Sequence, residues 1–270
     1  MIFAALILVS GALYGLSAFF GAGKSRGEKS LGAAVAGLLV QAAALAWFGA
    51  RYGRFPTGTP YELLEVAVWF FALIQAGVAA AFKLRFTGVF SMLPACVLTL
   101  LPLGCPVFLE SVGGAGAPAS ASVEVAGLHA TLALASYAFV AASACFGLLY
   151  IFQRRRLREK SGGLFARLCP PLETLERLGA MCVGGSVFAM LLSGGLGFYA
   201  ASIIPPETAS SIAAHVKFGA AAVLFCAQCA LFAMCALGRA KGARLARLEI
   251  ALGLLALAAI APVEIFNLSR

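Results

Sequence analysis

Only two histidines occur in the 270 residues, His129 and His215, and the chain contains no aspartate. A neutral imidazole is a common metal ligand and a good axial ligand to iron. Zinc ordinarily takes three or four protein ligands, so two histidines without aspartate suit a two-point iron site better than a zinc site. Sulfur offers a second chemistry. Cys226 and Cys229 have the C-x-x-C spacing of a redox pair, though the spacing is all they share with one. A reactive thiol needs electropositive, partly exposed surroundings. These two lie in an apolar run, where thiols pack as small hydrophobic groups. Cys96, Cys105, Cys145, Cys182 and Cys235 read the same way. Lastly, Glu62 and Glu65 follow closely on Arg51 and Arg54. Glutamate at a helix start complements the helix dipole, and an ion pair across this short connection would neutralise both charges.

The elements that must position these residues follow from composition. The chain is 62% hydrophobic and 11% charged, against roughly 25% charged in ordinary globular domains. That places it in the membrane class. A net charge of +9 would suggest a nucleic-acid partner in a soluble protein; in a membrane protein it reports topology instead, and no nucleic-acid partner is expected. The eight cysteines are scattered through apolar stretches and form no disulfide framework. A membrane span needs roughly 20 mainly apolar residues. Eight segments qualify: Ile2–Gly21, Leu31–Arg51, Tyr61–Phe82, Gly88–Leu109, Val125–Phe152, Leu178–Ser202, Ile212–Leu237 and Leu248–Phe266. The fold expected is all-α, a polytopic bundle of eight transmembrane helices forming a single domain over residues 1–270, without an internal repeat. Met1 to Phe20 lacks the basic start of a signal peptide and runs on at spanning length, so it reads as the first span.

The connections set the orientation. Sixteen of the twenty basic residues fall in one set: Lys24, Arg26 and Lys29; Lys83 and Arg85; seven from Arg154 to Arg177; and Arg239, Lys241, Arg244 and Arg247. Only Arg51, Arg54, Lys217 and Arg270 fall in the other. The positive-inside rule puts the first set in the cytoplasm and both termini on the non-cytoplasmic side. The run Arg154–Lys160 reads as a topological signal that can also touch anionic lipid. The outer stretch Ser111–Ser122 is rich in Gly, Ala and Ser and reads as a flexible loop. Pro170 and Pro171, followed by Glu173 and Glu176, read as a helix start.

This topology puts His129 at the outer end of the fifth span and His215 at the outer end of the seventh. Two imidazoles at similar depth on one side can form a bis-histidine haem site. His129 heads the row Ala133, Ser136, Val140, Ser143 and Gly147, and His215 heads the row Gly219, Ala222, Cys226 and Cys229. Small residues at helical spacing mark a packing face, so the imidazoles are expected to point into the bundle. The alternative is that each histidine hydrogen-bonds at the level of the lipid headgroups. The glycine pairs Gly184-Gly185 and Gly194-Gly195 suit close helix packing.

Several stretches resemble the cytochrome c assembly family, which includes the CcsA-, CcmC- and HemX-like membrane proteins. They are Gly53-Arg54-Phe55-Pro56, then Pro60-Tyr61-Glu62-Leu63-Leu64 with Trp69, then His129 with Ser136-Tyr137, the run Tyr150 to Leu157, and Pro170 to Glu176. Their order and spacing cover most of the chain from the second helix onward. The resemblance implies a bacterial cytoplasmic-membrane protein with an extracytoplasmic pocket for haem b framed by histidines, and a cytochrome c maturation protein as partner. His129 matches the family's outward-facing histidine.

The chain departs from that pattern at two points. The haem-handling members carry a tryptophan-rich motif ending in Trp-Asp-Pro-Lys between the sixth and seventh spans. Here Trp47 and Trp69 are the only tryptophans, and His215-Val216-Lys217 stands where Asp-Pro-Lys would fall. The second outward histidine, expected after the last span, is missing too. The resemblance therefore implies a HemX-like or divergent CcsA-like accessory protein, not a complete haem lyase, and no catalytic residue is assigned. His215 is the candidate to replace the lost ligand. Two other readings are a non-haem scaffold or regulator linked to tetrapyrrole synthesis that binds a partner through Arg154–Arg177, and a small-molecule transporter. A transporter would commonly show inverted repeats and interrupted helices with polar groups at the midplane.

Overall fold

The computed structural model describes residues 2–22, 27–82, 84, 88–104, 121–160, 169–203 and 212–268, with side chains described for all of these except 88–89, 121–124, 203, 212–217 and 260–268. Among the described residues there are helices and no strand. The α-helices among the described residues are, in chain order, α1 (Ile2–Gly21), α2 (Gly27–Tyr52), α3 (Pro60–Ala81), α4 (Leu93–Leu100), α5 (Ala121–Arg158), α6 (Leu172–Ile203), α7 (Ile212–Ala236) and α8 (Gly242–Leu268). Six of them, α1, α2, α3, α5, α6 and α7, are long and apolar enough among the described residues to cross a membrane. Helices satisfy their own backbone, which is what the hydrocarbon core demands of a spanning segment. The chain is a multi-pass helical membrane protein.

The other two, α4 and α8, are not among these six. The fourth expected span, Gly88–Leu109, is interrupted: a π-helical turn over Gly88–Met92 leads into the two-turn α4, and a 3₁₀ turn over Pro102–Gly104 follows. Prolines are the physical reason. Pro94 and Pro102 each lack a backbone N–H and crowd the preceding turn, so the helical pitch changes beside each. Residues 105–109 lie outside the described residues, as does the expected loop Ser111–Ser122 up to residue 120. In α8, side chains are described only as far as residue 259.

Contacts divide the chain into two compact units, Met1–Gly127 with Arg167–Pro170, and Leu128–Ala166 with Pro171–Arg270. In the first unit α1 and α2 run antiparallel along small residues. Ser17 and Ser30 each donate a hydroxyl to the other's backbone carbonyl, at 2.7 and 2.8 Å. The Tyr14 ring lies over Gly37, where an added Cβ would come within 2.8 Å of it, and Phe3 meets Phe48 edge-on at 5.4 Å. On the other side of α1, α4 seats Leu100 on Gly11 and Cys96 on Gly15. Trp69 of α3 donates its indole N–H to the Leu38 carbonyl of α2 at 3.1 Å.

The connection from α2 to α3 is built around one ion pair. Gly53 takes a left-handed conformation, φ +64°, to end α2, a common helix stop that glycine adopts without Cβ strain. Arg54 then turns back and grips Glu62 with both terminal nitrogens, at 2.7 and 2.9 Å. The Gly58 amide donates to the same carboxylate at 2.8 Å, and Thr59 caps α3 by accepting from the Glu62 amide. Pro60 occupies the start of α3, where its missing N–H costs nothing. The guanidinium also lies over the Phe48 ring, 5.0 Å from its centre, a cation–π arrangement. Hydrogen bonding to Glu62 pushes the Arg54 guanidinium above its ordinary value, against the opposing effect of burial. The ion pair expected across this connection is therefore present, and Arg54 is committed to it.

In the second unit the row from His129 is a packing face, as its small residues imply. Ser136, Val140 and Ser143 are fully buried, and Gly147 comes close to the Ala246 carbonyl. Val140, Val183, Leu224, Leu231, Leu245 and Leu252 form the apolar core. Arg54→Ala should leave Glu62 buried without its counter-charge, which costs about 3–5 kcal/mol. Thermal unfolding of the purified protein in detergent should show this as a large loss, and Arg54→Lys, which cannot make the two-pronged contact, should recover only part of it.

Candidate functional site

His129 sits in the first third of α5 and faces α6. Its Nδ1 is 2.7 Å from the Ser193 carbonyl oxygen. A carbonyl only accepts, so Nδ1 carries the hydrogen and donates it. Ser193 returns the contact: its hydroxyl donates to the His129 carbonyl at 3.0 Å and also lies 3.0 Å from Nδ1. Seven residues along each helix, Ser136 donates its hydroxyl to the Ser186 carbonyl at 2.9 Å. Gln228 of α7 donates to that Ser136 hydroxyl at 3.1 Å. The two rungs lock the register of α5 against α6.

The ring can lie this close to α6 because Gly197 has no side chain. A Cβ there would be 2.8 Å from both Cε1 and Nδ1 of His129. With Nδ1–H tied to a carbonyl, the tautomer is set and Nε2 keeps its lone pair. Nε2 makes no hydrogen bond among the described residues. A ring nitrogen anchored to a backbone carbonyl while the other is left free is the arrangement by which metal-binding histidines are oriented.

The glycine pairs behave differently from one another. Gly184 and Gly185 pack tightly as expected, against Phe232 and Phe139. Gly194 and Gly195 do not: both are exposed, with no atom of a described residue where a Cβ would stand. They follow directly on Ser193 in sequence, but at 3.6 residues per turn Gly195 stands on the side of α6 opposite to the Ser193 and Gly197 face.

His215 lies on α7, and its side chain is outside the described residues. The row it heads is not the inward face expected of it. Gly219, Ala222 and Cys226 are exposed and Cys229 is half-buried, whereas Leu224, Gln228 and Leu231 face inward. The physical reason is that small residues pack inward only where a partner helix approaches, and on α7 the neighbours approach the opposite side. Cys226 and Cys229 are free thiols on that outward-turned face. Among the described residues no group of three or more His, Cys, Asp or Glu comes together.

Sequence reading passed over other buried polar groups. Glu65 is fully buried with Gln41 donating to its carboxylate at 2.8 Å, and Tyr14 donates to Gln41 at 2.7 Å. This chain joins α1, α2 and α3. Glu249 of α8 is also buried, pressed against Gly147 of α5 and Gly179 of α6 and beside Ser143. Neither carboxylate forms an ion pair among the described residues. Glu65 was visible in the sequence only as a helix-start glutamate, and no motif singled out Glu249. Ser193 carried a faint signal: it lies seven residues from Ser186, the same interval that separates His129 from Ser136.

Compared with protein-family models, curated proteins and solved structures, the chain finds no match.

The packing at Gly197 makes a direct test possible. Gly197→Ala should force the His129 ring off Ser193 at a cost of about 1–3 kcal/mol, seen as a lower unfolding temperature. Gly195→Ala, which meets open space, should leave that temperature unchanged or raise it.

Proposed function

We propose that this chain is a haem-handling accessory protein of cytochrome c assembly, in which His129 offers Nε2 as an axial ligand to the iron of haem b. The observation that carries this reading is the anchored imidazole: Nδ1–H bound to the Ser193 carbonyl and Nε2 without a partner among the described residues. The residues fit one axial position. His215 is the sequence's candidate for the opposite axial position. Bound haem would supply the redox-active iron and the vinyl groups that become attached to an apocytochrome. What this chain contributes is a nitrogen of fixed tautomer, held by Ser193 and given space by Gly197. Without the tryptophan-rich motif it would hold haem for a partner protein and not complete the attachment itself.

The same reading includes eight spans, the bacterial cytoplasmic membrane, both termini on the non-cytoplasmic side and His129 at the outer face. It rests on the distribution of basic residues. Titrating the purified protein with haem should produce a Soret band that His129→Ala abolishes. Ser193→Ala, which removes the hydroxyl but leaves the carbonyl, should keep the band and weaken binding modestly. A wild-type protein that gives no Soret band after haem addition would overturn the proposal.

A further inference from the structure

Away from His129, in the second unit, the end of α5 and the start of α8 enclose a cleft of about 460 Å³. It is lined by Ile151, Arg154, Arg155, Arg158 and Glu159 of the α5 end, and by Ala243 and Arg247 of α8. Four guanidinium groups and one carboxylate leave it strongly positive. Their existing bonds are few. Arg155 pairs with Glu159 at 2.8 Å, and Arg247 donates Nε–H to the Ala243 carbonyl at 3.1 Å, which leaves its terminal nitrogens free to reach a ligand. Arg154 and Arg158 make no hydrogen bond or ion pair among the described residues.

This concentration of charge has a cost that the helices relieve only in part. Arg154 and Arg158 are four apart on one face, a like-charge spacing that disfavours the helix. At the C-terminal end of α5 the dipole offsets part of that cost for Arg158, the last residue of the helix, whereas Arg247, in the second turn of α8, has no such compensation. A simple count of basic residues on one membrane side explains their presence there, not their convergence from two helices on one cleft.

We propose that this cleft binds a phosphate group, held by the guanidinium groups of Arg154, Arg158 and Arg247. Arginine presents a planar fork of donors that matches phosphate oxygens in pairs. The source the structure favours is the headgroup of an anionic phospholipid. Ile151 belongs to the lining, and one turn deeper along α5 Leu148 is exposed, so the charged cleft borders a surface suited to acyl chains. A soluble phosphate compound offers the same oxygens and is the other source to separate.

The test uses the purified full-length chain in neutral detergent, measured by native mass spectrometry and thermal unfolding. The probes are phosphatidylglycerol, phosphatidylcholine and inorganic pyrophosphate. Two triple variants are compared. Arg154→Gln, Arg158→Gln and Arg247→Gln together empty the cleft, while Lys29→Gln, Arg239→Gln and Lys241→Gln remove the same charge outside it. Wild type and the outside variant should retain phosphatidylglycerol over phosphatidylcholine and be stabilised by it. The cleft variant should bind phosphatidylglycerol about a hundredfold more weakly, the loss expected for three basic groups at a membrane surface. Pyrophosphate that stabilises wild type, without a preference between the lipids, would uphold the phosphate site and assign it to a soluble ligand. Equal losses in the two variants, or no stabilisation of wild type by any phosphate probe beyond phosphatidylcholine, would overturn the proposal.

Discussion

A polar side chain between membrane helices has no water to fall back on, so it must find its partner on a neighbouring helix at close range. This constraint shapes both compact units. Ser17 and Ser30 exchange hydroxyl-to-carbonyl bonds between α1 and α2; between α5 and α6 the Ser136 hydroxyl donates to the Ser186 carbonyl, and His129 and Ser193 each donate to the other's carbonyl. Each contact needs backbones near enough for a short side chain to reach a main-chain oxygen, which is why glycine recurs beside them. Such bonds contribute only about 0.6 kcal/mol each on average. Their greater effect is on register, because a one-residue slip would leave several polar groups unpaired at once.

The same constraint gives His129 its chemical character. An imidazole at a bilayer interface with water on both nitrogens would exchange tautomers freely. Here a backbone carbonyl takes Nδ1–H, and Gly197 lets the ring lie flat enough to reach it. The free nitrogen is thus a product of helix packing. Arg54 shows the opposite outcome. Its guanidinium is consumed by Glu62 and by the Phe48 face, so it serves to close a connection and start a helix. Arg154, Arg158 and Arg247 differ again, since most of their donors have no partner among the described residues.

Glu65 and Glu249 are buried carboxylates, each joining elements of its own unit without a basic partner among the described residues. Ionisable groups in such positions are costly and commonly functional. Glu65 extends a chain through Gln41 to Tyr14, whereas Glu249 fills a notch made by two glycines.

The sequence alone determined that this is a helical membrane protein, because the hydrophobic runs and the scarcity of charge depend on composition, which any folding of the chain must respect. It also located the packing face beneath His129 and an ion pair across the connection from α2 to α3, since both are local in spacing, though the choice of Arg54 with Glu62 over Arg51 and Glu65 came from the fold. Residues of like type elsewhere were not separable in this way. The row below His215 and the pair Gly194-Gly195 have the same small-residue signature as true packing faces, yet they are exposed. Tertiary structure decided those cases because a small residue only permits close approach; whether a neighbour takes up the space depends on helices distant in sequence. It likewise decided that prolines interrupt the fourth apolar segment, that Ser193 holds His129, and that arginines from α5 and α8 share one cleft, since each of these depends on which helix ends meet.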